Sequence, residues 1–125
     1  MSPAARPTDA ELGILQVLWA SGPCTVREVQ DGLGGESVSG YTTVLKLMQI
    51  MHDKGLVERD ESARAHVYSA AGSRDDTQRG LVGDLVDRAF SGSAETLVMR
   101  ALESRRSSPE ELERIRKLLD QLESD

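Results

Sequence analysis

The sequence predicts a mostly α-helical chain interrupted once by a small β-hairpin, and three observations carry that prediction. Thr8-Asp-Ala-Glu11, Thr25-Val-Arg-Glu28 and Ser108-Pro-Glu-Glu111 each place a hydroxyl three residues ahead of a glutamate, the reciprocal capping box that opens a helix. Apolar residues recur at helical spacing over most of the chain. Only between residues 56 and 69 does the period fall to two, as in strands.

The first helix opens at the Thr8 cap and runs to about Ala20, after a short tail, residues 1–7, whose two prolines predict mobility. Leu12, Leu15, Leu18 and Trp19 mark one face, and Ile14 and Val17 a second, so two sides are expected to be covered. Ser21-Gly22-Pro23 ends it. The Thr25 box opens a short second helix with Val26, Val29 and Leu33 inward, and Gly32, Gly34 and Gly35 close it. The third helix starts at Tyr41, capped by Ser39 or Gly40. Val44, Leu47, Met48 and Met51 form its buried stripe at i, i+3, i+4 and i+7. Gly55 stops it, because glycine accepts the left-handed turn without a Cβ clash. Residues 56–59 and 65–69 alternate as a hairpin around the polar turn 60–64. Helix, helix, helix, hairpin is the order of a winged helix-turn-helix.

From Ser73 the chain is helical again. Leu81, Val82, Leu85, Val86, Ala89 and Phe90 form one stripe, Ser91-Gly92-Ser93 breaks it, and Leu97, Val98, Ala101 and Leu102 form another. The Ser108 box, with proline at the first helical position, opens a last helix. Its Leu112, Ile115, Leu119 and Leu122 alternate steps of three and four, like a coiled-coil seam. Glu110–Arg114 and Glu113–Lys117 are expected i, i+4 pairs of about 0.3 kcal/mol each. These stripes hold too few large apolar side chains to offset the ordering of three exposed helices, at about 1.5 kcal/mol per residue. Another surface must cover them. A second copy of the chain is the simplest one; the alternative is folding back onto the first lobe. The expected division is a winged-helix domain over 8–72 and a three-helix dimerisation region over 73–123.

The 125 residues carry a net charge of −6. Residues 1–72 have six Lys/Arg against nine Asp/Glu and residues 73–125 have nine against twelve, so each part is negative. Non-specific nucleic-acid binding normally needs a basic face, so a DNA role requires local positive groups and a dimer. With only Lys46 and Lys54 as cations on the third helix, one copy is expected to bind weakly. The single Cys24 excludes an internal disulfide and fits a reducing compartment. With no apolar run near twenty residues and no basic-then-apolar leader, the expectation is a cytoplasmic protein without membrane insertion.

The front of the third helix is polar: Thr42, Thr43, Lys46, Gln49 and Asp53. Thr42 and Thr43 stand where a recognition helix meets base edges or phosphates, and a threonine offers a hydroxyl and a methyl to the bases. Lys46 reaches a phosphate or a guanine, and Gln49 an adenine. Tyr41 either bonds a phosphate or packs on the first helix. Arg64 and His66 on the hairpin are phosphate candidates, Arg64 alternatively pairing with Glu61 or having no partner at all. Arg27 is a phosphate candidate or a partner of Asp31. Trp19, Met48 and Met51 read as core, Cys24 as a small semi-buried residue, and Asp75-Asp76 as helix N-terminal charge. Cys24, His52 and His66 lack ligand spacing, so no metal or cofactor is expected. No nucleophile–base pair or phosphate loop points to an enzyme. The acidic balance leaves a second reading, a winged-helix protein-interaction module without specific DNA binding.

The composite resembles one family. Leu18-Trp19-Ala-Ser-Gly22-Pro-Cys-Thr25-Val26-Arg27-Glu28-Val29 resembles the approach to the second helix of penicillinase repressors, the BlaI/MecI-type transcriptional regulators. Tyr41-Thr42-Thr43-Val44 with Lys54-Gly55-Leu56-Val57 resembles their recognition helix and its exit. Arg64-Ala65-His66-Val67-Tyr68 resembles their wing, and the stripe through Leu85-Val86, Gly92-Ser93 and Leu97-Val98 their dimerisation region. The match spans about residues 8–123.

The resemblance implies a homodimeric repressor on a palindromic double-stranded operator. In that family a membrane sensor detects a β-lactam, and cleavage in the repressor's C-terminal region releases the DNA, so a sensor-linked protease is an implied partner. Familiar members carry Asn-Phe in the helix after the Gly-Ser break. The matching positions here are Arg100-Ala101, so either a different bond is cut or the inducing signal differs. A copper-responsive branch uses paired cysteines near its C-terminus; this chain has no cysteine after Cys24.

Overall fold

The computed structural model describes residues 6–125; the first five residues of the expected tail lie outside the described residues. The order is α1 (Asp9–Ser21), β1 (Cys24–Thr25), α2 (Val26–Gly32), α3 (Tyr41–Lys54), β2 (Val57–Asp60), β3 (Val67–Ala70), α4 (Arg74–Ala89), α5 (Ala94–Ser104) and α6 (Pro109–Glu123). This is a mostly helical chain with one small antiparallel sheet, as expected. Compactness divides it inside α4, into Met1–Leu81 and Val82–Asp125.

All three capping boxes are formed, at Thr8, Thr25 and Ser108. Gly40 caps α3 without a side-chain hydrogen bond. At the other end Gly55 sits at φ 81°. There the Gly55 N–H donates to the His52 carbonyl (3.1 Å) and the Leu56 N–H to that of Met51 (2.9 Å), the paired bonds of a Schellman motif. This explains why β2 begins one residue later than the alternation suggested: the Leu56 amide is committed to the helix.

The core of the first unit comes from α1, α2, α3 and all three strands. Ile14, Leu15 and Leu18 of α1, Val26 and Val29 of α2, and Val44, Met48 and Met51 of α3 are buried, with Cys24, Val57 and Tyr68 from the sheet. Leu47, expected in the α3 stripe, is only partly buried, because it lies at the edge of the line through residues 44, 48 and 51. Trp19, expected in the core, packs against it from the side. Its indole N–H donates to the Gly72 carbonyl (3.0 Å), and the Arg74 guanidinium lies 5.9 Å from its ring centroid.

The sheet is larger than the predicted hairpin. It has three strands in the order β1-β3-β2, with Cys24 opposite Tyr68 and Thr25 opposite Val67 on one side of β3. On the other side Val57 faces Ala70 and Asp60 faces Val67. β1 is two residues long, too short to show alternation, and exists because β3 offers it an edge. β3 starts two residues later than expected, so Ala65 and His66 belong to the turn.

In the remaining helices no residue is buried. Between α4 and α5, Ser91 (φ 52°) and Gly92 (φ 82°) are consecutive left-handed residues, which ends α4. Ser93 then caps α5 through the Thr96 N–H (3.1 Å). On α6 the ion pair formed is Arg116–Glu113 at 3.3 Å, spaced i, i+3, in place of the expected Glu113–Lys117 pair. Among the described residues no helix is long and apolar enough to cross a membrane.

Candidate nucleic-acid interface

With Val44, Met48 and Met51 turned into the core, helix geometry sends the other side of α3 outward. Thr42, Thr43, Lys46 and Gln49 are all exposed, and Tyr41 is 40% exposed. The first turn of α3 holds no acidic residue and no side-chain cap. Its free N–H groups and the positive end of the helix dipole therefore suit an approaching anion.

α3 is anchored at its C-terminal end by an ion pair whose carboxylate is buried and whose ammonium is half-exposed. Lys54 Nζ lies 2.9 Å from both carboxylate oxygens of Glu11, and Glu11 is only 2% exposed. The same carboxylate accepts the Thr8 N–H at 2.9 Å. Burial alone would raise its pKa, but the Thr8 amide and the Lys54 ammonium outweigh that and hold Glu11 below its ordinary value. This corrects one expectation: Lys54 serves the fold and is not a cation of the outward face, which leaves Lys46 alone on α3.

The N-terminal end is fixed from α2. Gln30, 3% exposed, donates from Nε2 to the Ser39 carbonyl (3.0 Å), and its own carbonyl accepts the Gly35 N–H (2.9 Å). The connection into α3 is thus bonded from both ends of one residue. Arg27 lies over the Tyr41 ring, 5.2 Å from the centroid. Tyr41 accordingly meets α2, where packing on the first helix was one expectation, and Arg27 meets Tyr41, where Asp31 was one expectation.

On the wing, Glu61 is held by Arg59 Nε at 2.8 Å, which keeps its carboxyl below the usual range. The alternative partner considered for Arg64 is therefore taken, and Arg64 is exposed at the turn. His66 is half-buried beside β3. Asp60 Oδ1 accepts the Ser62 N–H at 2.9 Å, which shapes the turn and lowers the Asp60 pKa.

Gln30 and the anchoring role of Glu11 were missed from sequence, although a signal was present. Residues 11, 14, 15 and 18 form one i, i+3, i+4, i+7 line, and residues 26, 29, 30 and 33 another. A polar residue on such a line is buried with its apolar neighbours and needs a partner. Cys24 is buried, with Sγ 3.3 Å from the Gly22 carbonyl. Burial, with the Glu28 charge, pushes its thiol pKa up, which suppresses the reactive thiolate. Among the described residues no cluster of His, Cys, Asp or Glu could hold a metal.

The expected dimerisation residues are distributed over three helices. Leu81, Leu85 and the adjoining Phe90 lie on or just after α4, Leu97 on α5, and Leu112, Ile115, Leu119 and Leu122 on α6. Leu85, Leu119 and Leu122 are 45%, 53% and 61% exposed. Arg100 and Ala101 lie within α5, and Arg100 pairs with Glu103 at 2.8 Å.

Comparison with known proteins places this arrangement. The family profile described as Penicillinase repressor matches residues 7–121. The chain is 32% identical over 126 residues to the transcriptional regulator BlaI of Mycobacterium tuberculosis, in strains CDC 1551 and H37Rv, covering 99% of this chain and 90% of that protein. It is 23% identical over 114 residues to the penicillinase repressor of Bacillus licheniformis, covering 91% of this chain and 89% of that protein. With a profile match across nearly its whole length, the chain belongs to the penicillinase repressor family, whose members are transcriptional regulators and not enzymes.

Proposed function

We propose that the protein is a cytoplasmic transcriptional repressor that binds a palindromic double-stranded operator as a homodimer. The observation that carries this is the outward face of α3, where Thr42, Thr43, Lys46 and Gln49 are exposed on a helix tied down at both ends. In this reading Thr42, Thr43 and Gln49 read base edges in the major groove. Lys46 and Arg27 engage the backbone beside them, Arg27 resting on the Tyr41 ring, and Arg64 and His66 on the wing meet phosphates further along. The uncovered stripes of α4, α5 and α6, including Leu85, Leu119 and Leu122, form the homodimer contact and present α3 twice. Release follows a signal, by analogy with the relatives named as penicillinase repressors. A sensor-linked protease that cuts α5 at or near Arg100–Ala101 is one route to it.

The negative charge of the first 72 residues favours one other reading, a winged-helix module that binds protein. Titration of labelled duplexes from the region upstream of its own gene separates the two. The repressor reading expects one duplex to bind at least about a thousand-fold tighter than random DNA. Binding of equal strength to every duplex, across palindromes drawn from that region, refutes it.

A further inference from the structure

Arg27 and Tyr41 stand in the first turns of the two helices that form the reading head, α2 and α3. The guanidinium carbon is 5.2 Å from the ring centroid, within cation–π range. Both residues are exposed. Among the described residues Arg27 has no ion pair, and the ring is its one partner. A guanidinium held by a ring face keeps its N–H donors free at the edges. A carboxylate partner would instead occupy them and cancel the charge. The cation is therefore oriented without being neutralised, beside the uncapped first turn of α3.

We propose that Tyr41 is a positioning residue for phosphate recognition: its ring holds the Arg27 guanidinium so that Arg27 and the start of α3 engage the same stretch of DNA backbone. This deepens the DNA-binding reading above and rests on it. The tyrosine hydroxyl has no essential part, and the two side chains act as one unit. An uncharged residue thereby controls an electrostatic quantity, the number of counterions displaced on binding.

The test is a double-mutant cycle read by fluorescence anisotropy against salt. The probes are a labelled duplex from the region upstream of the gene and a random duplex of equal length. Arg27→Ala should weaken binding to both duplexes alike and lower the salt slope by about 1 per protomer. Tyr41→Leu should lower the slope nearly as much although it removes no charge, and should add little in the Arg27→Ala background. Tyr41→Phe should bind as wild type does. Melting temperatures measured alongside separate binding from folding, and the Tyr41→Phe expectation stands whatever Tyr41→Leu does to stability. Loss of binding in Tyr41→Phe, a slope unmoved by a folded Tyr41→Leu, or independent losses that multiply would each overturn the inference while leaving DNA binding intact. A wild-type protein that binds neither duplex overturns the DNA reading and the inference with it.

Discussion

At the residue scale the side chains proposed to meet DNA are exposed or, for His66, half-buried, whereas those that hold α3 in place are bonded within the fold. Thr43 and Arg64 are both exposed, yet they should fail differently when removed. Thr43→Ala should relax preference at one base position at a cost of about 1–3 kcal/mol. Arg64→Ala should weaken all sequences alike and flatten the salt slope. A binding-site selection on both variants decides it, and the same loss on specific and random DNA for both would remove the division of roles. Glu11 belongs to the second group. Glu11→Gln should cost about 2 kcal/mol at neutral pH, less than the ~3–5 kcal/mol of a fully buried pair, because Lys54 can turn to water. The folded pKa of Glu11 lies below its ordinary value. Its contribution is therefore complete above the ordinary carboxylate value, about 4.3, and is lost as pH falls through the lower folded value. Denaturant melts should show wild type and variant converging in acid; a constant gap down to pH about 2 would contradict the linkage.

At the element scale, local chemistry was legible in the sequence and non-local pairing was not. The three capping boxes and the Gly55 stop depend on residues three or four apart, so a short window contains the whole physical cause. β1 depends on an edge supplied by Val67 and Tyr68, and nothing within residues 24–25 announces it. Lys54 looked like a groove cation because its partner lies 43 residues away. The candidate site divides in the same way: the exposed threonines follow from the helical period of α3, whereas the contact between Arg27 and Tyr41 needed the fold. The Schellman turn gives a clean test of the local part. A Cβ at Gly55 would meet nothing within 4 Å, so Gly55→Ala should cost only the left-handed strain, about 1–2 kcal/mol, measured by chemical denaturation. A neutral result would mean that the turn relaxes at no cost.

At the scale of the whole molecule, the two compact units pose different problems. The first has a closed core drawn from α1, α2, α3 and the sheet. The second has apolar stripes and no buried residue of its own helices. That imbalance is the physical argument for a second copy. Leu119→Asp should dissociate the proposed dimer and reduce the proposed operator binding to the weak affinity of one head. Light scattering that still finds a dimer would move the contact off α6. Two heads on one face of DNA place half-sites one helical turn apart, about 34 Å, which footprinting measures directly.

The two-residue strand β1 has a mechanical consequence. Thr25 is at once the end of β1 and the cap of α2, and β1 is laced to the inner strand of the wing. The wing stem therefore cannot swing without dragging the helix that carries Arg27, so the fingers of the head are joined at the knuckle. Backbone amides of Val67 and Tyr68 have a strand on either side. Their hydrogen–deuterium exchange should be as slow as that of the α1 core, with only the turn beyond Asp60 exchanging freely. Fast exchange at Tyr68 would mean a hinge where the fold has none. If exchange is slow, the spacing between wing and head is a fixed gauge, and in the proposed operator complex a duplex of the wrong groove width would be rejected by a rigid tool.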